Sequence, residues 1–267
     1  MLRFRFVLRP VRDVRPWGED VPRLGWFILT DGWYWIELGG HELLRYAERS
    51  PGPRSSSTHG LAEPREPAGL DDYVDYHVVR LWEDLVELMP RVLEPVPPDL
   101  LDFVAGAIPD AARPEAPEAE AARHWHAGHA LDMGHLRAAP DIRFRRTLSG
   151  AADTMTVTWA HAADPVDDDP IAFTAPRTGR VTLPTEAFIA AVTTFDRELF
   201  AAMEQRVAGF EASGPPAGVD VDLRALRREQ LDRVTWLARA TSRPADTDWS
   251  AVRAGAAVLR GSAGGPG

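Results

Sequence analysis

The sequence predicts an α+β protein, in which an antiparallel β-meander and central antiparallel strands are packed by long helices. Alternating apolar residues mark strands near the start and in the middle of the chain. Apolar residues spaced by three and four mark helices after each group of strands. We therefore expect one α+β domain over 1–210, a C-terminal helical extension over 219–260 and a disordered tail over 261–267. Mobile loops are expected near 48–70 and 109–120.

The N-terminal region is predicted to form the meander. Residues 2–8 alternate apolar side chains with arginines, as a half-buried strand requires. Three further runs, WFILT, WYWIEL and HELLRY, are separated by Asp31-Gly32 and Gly39-Gly40. Such dipeptides suit the positive φ angles of two-residue turns, so each pair of runs is expected to form a hairpin.

The remaining elements are predicted from the same periodicities. Helices are expected from about residue 71 or 72 to Pro90, in the run LLDFVAG, over 185–208, and around 222–240 and 248–259. Strands are expected over 142–148 and 154–159, and IAFTA and GRVTLP are expected to form a further hairpin. The helix that begins at Thr185 carries a long apolar stripe, so it should lie across the sheet.

Composition excludes several chemistries. The 267 residues contain no cysteine, which excludes disulfides, thiolate metal sites and cysteine nucleophiles. All 30 basic residues are arginine, which excludes lysine Schiff bases and the P-loop lysine. The net charge of -10 and the absence of a basic cluster disfavour nucleic acid as a partner and permit a basic protein. Without an apolar run long enough for a membrane span or a signal peptide, we expect a cytoplasmic protein.

Several motifs together resemble an uncharacterised actinobacterial family, a domain of unknown function. They are RFRFVLRPV, PWGED, WFILTDGWYWIELGG, YHVVRLWEDL, LDMGHLRAAPDIRFRR and LPTEAFIAAV. The likeness covers most of residues 1–46, 73–97, 124–160 and 175–208. The resemblance implies no activity, substrate or catalytic residue, so function has to be inferred from the residues themselves.

The meander is predicted to carry a binding face. If both dipeptides are turns, Glu37 lies opposite Glu42 and the face collects Trp26, Trp33, Trp35, Glu37, Glu42 and Tyr46. Facing carboxylates repel each other unless a guanidinium lies between them, and that guanidinium could come from this chain or from a partner. Aromatic rings beside carboxylates suit a cationic partner. The alternative, in which helices cover both faces of the sheet, stays open.

A histidine-rich segment, RHWHAGHALDMGH, offers a different site. Its candidate ligands are His124, His126, His129, Asp132 and His135. Imidazoles with one carboxylate can bind zinc, iron or manganese. Their spacing fits no standard metal site, so surface or hydrogen-bonded histidines are the other interpretation.

The sequence therefore favours a non-enzymatic acidic binding protein, without a cofactor, that neutralises a basic protein partner in the manner of an immunity protein or antitoxin. The alternative is a metal-dependent hydrolase or oxygenase that uses the histidine segment. The motifs G-x-S-x-G, G-x-G-x-x-G and the P-loop are all missing, which argues against the usual hydrolase, dinucleotide and NTPase classes.

Overall fold

A computed structural model describes residues 1–47, 69–105, 117–161 and 171–263. These residues form helices and two antiparallel sheets, so the α+β class is confirmed. Most of the loops predicted near 48–70 and 109–120 falls outside the described residues, as does the end of the predicted tail.

The first sheet is built around one central strand. Its strands are β1 (Leu2–Leu8), β2 (Asp31–Leu38), β3 (His41–Leu43) and β4 (Val74–His77). Strand β1 pairs antiparallel along one edge of β2, while β3 and β4 share the other edge. The alternation of β1 gives the sheet two faces, with Leu2 and Phe4 buried and Arg3 and Arg5 exposed.

Of the two predicted hairpins in this region, only the second forms. Residues 28–30 form a short 3-10 helix, and Gly32 lies inside β2 instead of in a turn. A Cβ atom at Gly32 would lie 2.3 Å from the carbonyl oxygen of Val7, so glycine is needed there for the close approach of β1. Gly39 and Gly40 have φ angles of 58° and 90° and join β2 to β3, as predicted.

The helix predicted from residue 71 or 72 begins later. Residues 74–77 form β4, which pairs with 31–34 of β2, and helix α1 covers Val78–Val92. The apolar periodicity of this segment is typical of a helix, but the free edge of β2 recruits its first residues into the sheet. The helix also continues two residues beyond Pro90.

The second sheet contains β5 (Asp141–Ser149), β6 (Ala152–Ala160) and β7 (Thr178–Pro184), in that order. The hairpin predicted from IAFTA and GRVTLP is wrong, because β7 pairs with β6. Residues 171–175 run beside the chain that follows β3. There, the amide of Thr174 donates to the carbonyl of Arg45 at 2.8 Å.

The remaining helices are α2 (Leu101–Ala105), α3 (Pro117–Ala127), α4 (Thr185–Ser213), α5 (Leu223–Arg233), α6 (Trp236–Ser242) and α7 (Trp249–Ala263). Helix α3 begins inside the loop that was predicted near 109–120. In the parts of the chain that the structure describes, no helix combines the length and the apolar character needed to cross a membrane.

Helix α4 packs against both sheets, whereas its apolar stripe predicted only that it would lie across a sheet. The ring of Phe195 lies 5.8 Å from that of Phe4 in the first sheet, and the ring of Phe188 lies 5.2 Å from that of Phe144 in the second. Helices α1, α5 and α6 contribute to the same core. Helix α7 instead joins α2 and α3 in a second apolar cluster, so the C-terminal helices divide between two cores.

Candidate functional site

The outer face of β2 carries the residues predicted to bind a partner. Tyr34 and Ile36 point into the main core, so Trp33, Trp35 and Glu37 point to the opposite face. The predicted sharing of one face by these three side chains is therefore confirmed.

Two of the predicted tryptophans are not available on this face. Trp26 lies before the sheet and is 1% exposed, because it packs on Phe200 and its indole N–H donates to Oε1 of Gln230 at 2.8 Å. Trp33 is also 1% exposed, and the guanidinium of Arg9 lies 4.3 Å from its ring centroid. The predicted face of three accessible tryptophans therefore does not form, because the first hairpin is absent and Arg9 covers Trp33.

The two other aromatic residues of the predicted face remain partly exposed. Trp35 stacks on Tyr73, with 4.3 Å between the ring centroids. Tyr46 lies farther along the chain and pairs with Phe173, with 5.3 Å between their rings. Tyr46 does not continue β3 along β2 because Leu44, with a φ angle of 70°, ends that strand. Among the aromatic residues of the predicted face, Trp35 alone stays both beside the glutamates and accessible.

The predicted glutamate pair is present. Glu37 and Glu42 face each other across β2 and β3. Arg45 lies 2.8 Å from the Glu42 carboxylate, and Arg3 and Arg5 lie 3.6 and 3.4 Å from the Glu37 carboxylate. The chain therefore supplies the guanidinium groups that offset the repulsion between the two carboxylates.

The two glutamates differ in how firmly they are held. Both oxygens of Glu42 are engaged, one by Arg45 and the other by the Tyr73 hydroxyl, which donates at 3.1 Å. The ion pairs of Glu37 are longer than the 2.7–2.9 Å of a charge-assisted hydrogen bond. The side chains of Arg3 and Arg5 are 51% and 45% exposed, so solvent screens both pairs. Glu37 is therefore the carboxylate that can change partners more easily.

A recess of about 450 Å³ opens beside this pair. It is lined by Met1, Glu37, Leu38, Gly40, His41, Glu42, Thr174 and Ala175. The wall formed by Thr174 and Ala175 comes from the segment that pairs with Arg45 and Tyr46. Sequence analysis missed this wall because it lies far from the hairpin along the chain, and no local pattern signals the pairing.

The candidate metal ligands do not converge. The Nδ1 atom of His126 lies 2.7 Å from a guanidinium nitrogen of Arg143. The Nδ1 atom of His129 instead donates to the carbonyl oxygen of Trp125 at 2.8 Å. Burial lowers the pKa of His129 to about 4, so this imidazole is neutral at pH 7. Each of these two histidines is therefore held by its own neighbours and does not face a shared centre.

The other three candidates are also dispersed. His124 and Asp132 are exposed, and Asp132 accepts a hydrogen bond from the amide of Gly134 at 3.0 Å. The Nε2 of His135 lies 3.0 Å from the Tyr34 hydroxyl. Within the described ranges, no three histidine, aspartate or glutamate side chains are arranged to hold a metal ion. The structure thus gives no support to the metal-site interpretation of this segment.

The contact between His135 and Tyr34 extends to a buried carboxyl group that sequence analysis missed. The Nδ1 of His135 lies 4.0 Å from Oδ2 of Asp84 in helix α1. Burial raises the pKa of Asp84 to about 7, although Arg80 opposes the shift, and burial also raises the pKa of Tyr34. The sequence did contain a signal of this burial, because Asp84 lies among the apolar residues of α1.

Tyr34, His135 and Asp84 lie side by side, but the 4.0 Å between His135 and Asp84 is too long for a hydrogen bond, and the group is closed to substrates. Tyr34 is fully buried and Asp84 is nearly so. Since no substrate can reach the Tyr34 hydroxyl in this arrangement, the three groups connect α1, β2 and the segment before β5 and do not form an active site.

The protein thus has an α+β fold with a recess beside the β2–β3 hairpin that is lined by two facing glutamates. The chain belongs to a family of unknown function, DUF5984, whose sequence profile matches residues 3–255. This match confirms the predicted membership of a family of unknown function. Comparison with curated proteins and with solved structures gives no match.

Proposed function

We propose that the protein is a non-enzymatic binding protein, and that the recess beside the β2–β3 hairpin receives a cationic side chain from a basic protein partner. The observation that carries this proposal is the facing of Glu37 and Glu42 at the recess. An incoming guanidinium can replace Arg3 and Arg5 beside Glu37, because exposed ion pairs contribute only about 0–1 kcal/mol.

The surroundings of the recess favour the same kind of partner. Trp35 lies on the same face of β2 as Glu37, and it stacks on Tyr73, whose hydroxyl donates to Glu42. Neither ring lines the recess, but a guanidinium that pairs with Glu37 from the outer face of β2 would lie beside Trp35. The net charge of -10 would steer a basic partner toward the protein.

This arrangement supports an immunity-like or antitoxin-like role, which we propose the protein performs in the cytoplasm. A basic toxin commonly needs exposed arginines or lysines to hold its own anionic substrate. A protein that takes one of these side chains into the recess would compete with that substrate and so neutralise the toxin.

The test is a calorimetric titration at low ionic strength with a capped tetra-arginine peptide as the probe. Glu37→Gln should weaken binding about tenfold, because it removes one charge-assisted contact. Glu198→Gln is the matched control, since Glu198 is exposed on α4 and the substitution removes the same charge. It should change the affinity by less than about twofold, because distant exposed charges are screened.

Two outcomes would overturn the proposal. Equal weakening by both substitutions would show that the peptide responds only to overall charge. Unchanged affinity in the Glu37→Gln variant would show that the peptide binds outside the recess.

A further inference from the structure

A second and larger cavity lies on different elements of the protein. It is a groove of about 1080 Å³ between the loop after β1, the C-terminal half of α4 and the turn that follows α4. Its lining residues include Leu8, Val14, Leu24, Phe210 and Val219, with Arg12 and Arg206 as its charged members. The volume is at the upper end of the range for small-molecule sites.

The walls of this groove are joined by backbone contacts. The amide of Leu24 donates to the carbonyl of Asp220 at 3.1 Å, which ties the N-terminal loop to the segment after α4. The side chains of Arg23 and Asp220 form an ion pair at 3.1 Å beside this contact. The floor residues Leu24 and Phe210 are buried. Contacts within the chain therefore hold the walls of the groove together.

The charge of the groove is opposite to that of the whole protein. Although the chain has a net charge of -10, the charged residues that line the groove are two arginines, and no carboxylate belongs to the lining. Buried charges in proteins normally have partners of opposite sign. A cationic and otherwise apolar groove is complementary to a ligand with one anionic group and an apolar body.

Arg206 is the less exposed of the two cations of this groove. Its guanidinium donates to the carbonyl oxygens of Leu29 and Arg9, so its two hydrogen bonds go to neutral acceptors instead of carboxylates. Burial lowers the pKa of Arg206 to about 10, and Asp31 opposes this shift, so the group stays charged at pH 7. A guanidinium has five N–H donors, and three of them remain for another acceptor.

We propose that the groove binds an apolar carboxylic acid, with the carboxylate on Arg206 and an extended aliphatic chain along the apolar floor. The planar fork of a guanidinium matches a carboxylate. Arg12, the other arginine of the lining, is exposed and pairs with Asp13 at 3.6 Å, so Arg206 is the cation that the groove holds in place. A single guanidinium suits a single negative charge better than a phosphate dianion. This site shares no residue with the recess beside the β2–β3 hairpin, so each proposal can be tested independently of the other.

The test uses calorimetric titration with decanoate as the probe and methyl decanoate as its uncharged counterpart. Decanoate should bind one site on the wild-type protein. The methyl ester should bind at least about tenfold more weakly, because it cannot form the charge-assisted contact with Arg206. Equal binding of the acid and the ester, or no binding of decanoate, would overturn the proposal.

A variant with a larger side chain in the groove tests whether the ligand binds there. Gly209 lines the groove on α4, and a Cβ atom at this position would meet no other atom within 4 Å. Gly209→Leu therefore occupies the groove without a clash at Cβ, and leucine is the better helix former. It should weaken decanoate binding at least about tenfold, because the side chain takes the space of the ligand. Unchanged decanoate affinity in this variant would contradict the assignment.

Two controls separate the groove from general effects. Arg243→Gln removes an exposed arginine that does not line the groove, and it should leave decanoate binding unchanged. The tetra-arginine peptide should bind Gly209→Leu as it binds the wild type. Loss of both ligands in that variant would show that the substitution disturbed the fold and not the groove, and urea unfolding of the same sample would identify this case.

Discussion

The groove and the recess hold charge in opposite ways. In the groove, the cation Arg206 is largely buried and fixed by two backbone carbonyls. In the recess, the carboxylate of Glu37 is partly exposed and contacts the exposed arginines Arg3 and Arg5 at more than 3 Å.

This difference determines how much each charge contributes to the stability of the fold. A buried charge with fixed partners contributes to the fold, since its removal leaves polar groups without partners in a dry environment. An exposed charge with loose partners contributes little to stability and remains able to exchange those partners. We therefore expect changes at Arg206 to alter stability, and changes at Glu37 to alter binding with little effect on stability.

The largest decrease in the free energy of unfolding is expected for Arg206→Met. This substitution keeps much of the side-chain volume but leaves the carbonyls of Leu29 and Arg9 without their donor. Because each hydrogen bond from a charged donor contributes about 1.5–3 kcal/mol, the free energy of unfolding should fall by about 4 kcal/mol. Urea unfolding measures this difference.

Arg12→Met is the control within the same groove. Arg12 is exposed, so its replacement should change the free energy of unfolding by no more than about 0.5 kcal/mol. Similar losses in the two variants would remove the distinction between buried and exposed charge on which the comparison rests.

The second largest change in stability is expected at Asp84, a buried acidic residue. The pKa of Asp84 is about 7 in the folded protein against an ordinary value of 3.8. Between these values the folded state binds more protons than the unfolded state, so stability falls as the pH rises from about 4 and the loss is complete above about 7. Asp84→Asn, which stays neutral, should therefore be about 3 kcal/mol more stable than the wild type at pH 8 and within about 1 kcal/mol of it at pH 4.

Urea unfolding at several pH values measures this dependence. Asp246→Asn is the matched control, because Asp246 is exposed, and it should follow the wild type at every pH. A constant difference between Asp84→Asn and the wild type from pH 4 to 8 would show that the Asp84 carboxyl does not titrate with a raised pKa.

Much of the fold could be predicted from the sequence because periodicity is a local property. The alternation in β1, β5 and β6 and the apolar stripe of α4 needed no knowledge of distant residues. The errors arose where a distant contact decides the structure. Gly32 looks like a turn residue but accommodates β1, and residues 74–77 have a helical pattern but pair with the edge of β2.

The same reasoning explains what could be predicted of the candidate site. The facing of Glu37 and Glu42 follows from a two-residue turn at Gly39 and Gly40, which fixes the register over a few positions. The burial of Trp26 depends on Gln230, far along the chain, and no pattern near Trp26 reveals it. The groove was missed for the same reason, because its lining comes from residues 8–24 and 202–219, which lie far apart in the sequence.

The smallest effect is expected at the recess itself. Glu37→Gln removes two long, exposed ion pairs and also the repulsion between Glu37 and Glu42. These contributions have opposite signs and each is below about 1 kcal/mol, so the free energy of unfolding should change by no more than about 0.5 kcal/mol.

Arg5→Gln should be slightly destabilising instead, because it leaves the facing carboxylates less compensated, and about 1 M salt should remove that difference. Urea unfolding at low and high salt measures both changes. A loss of about 2 kcal/mol or more in Glu37→Gln would mean that Glu37 anchors the fold, and the recess would then have no carboxylate free to accept a partner's guanidinium.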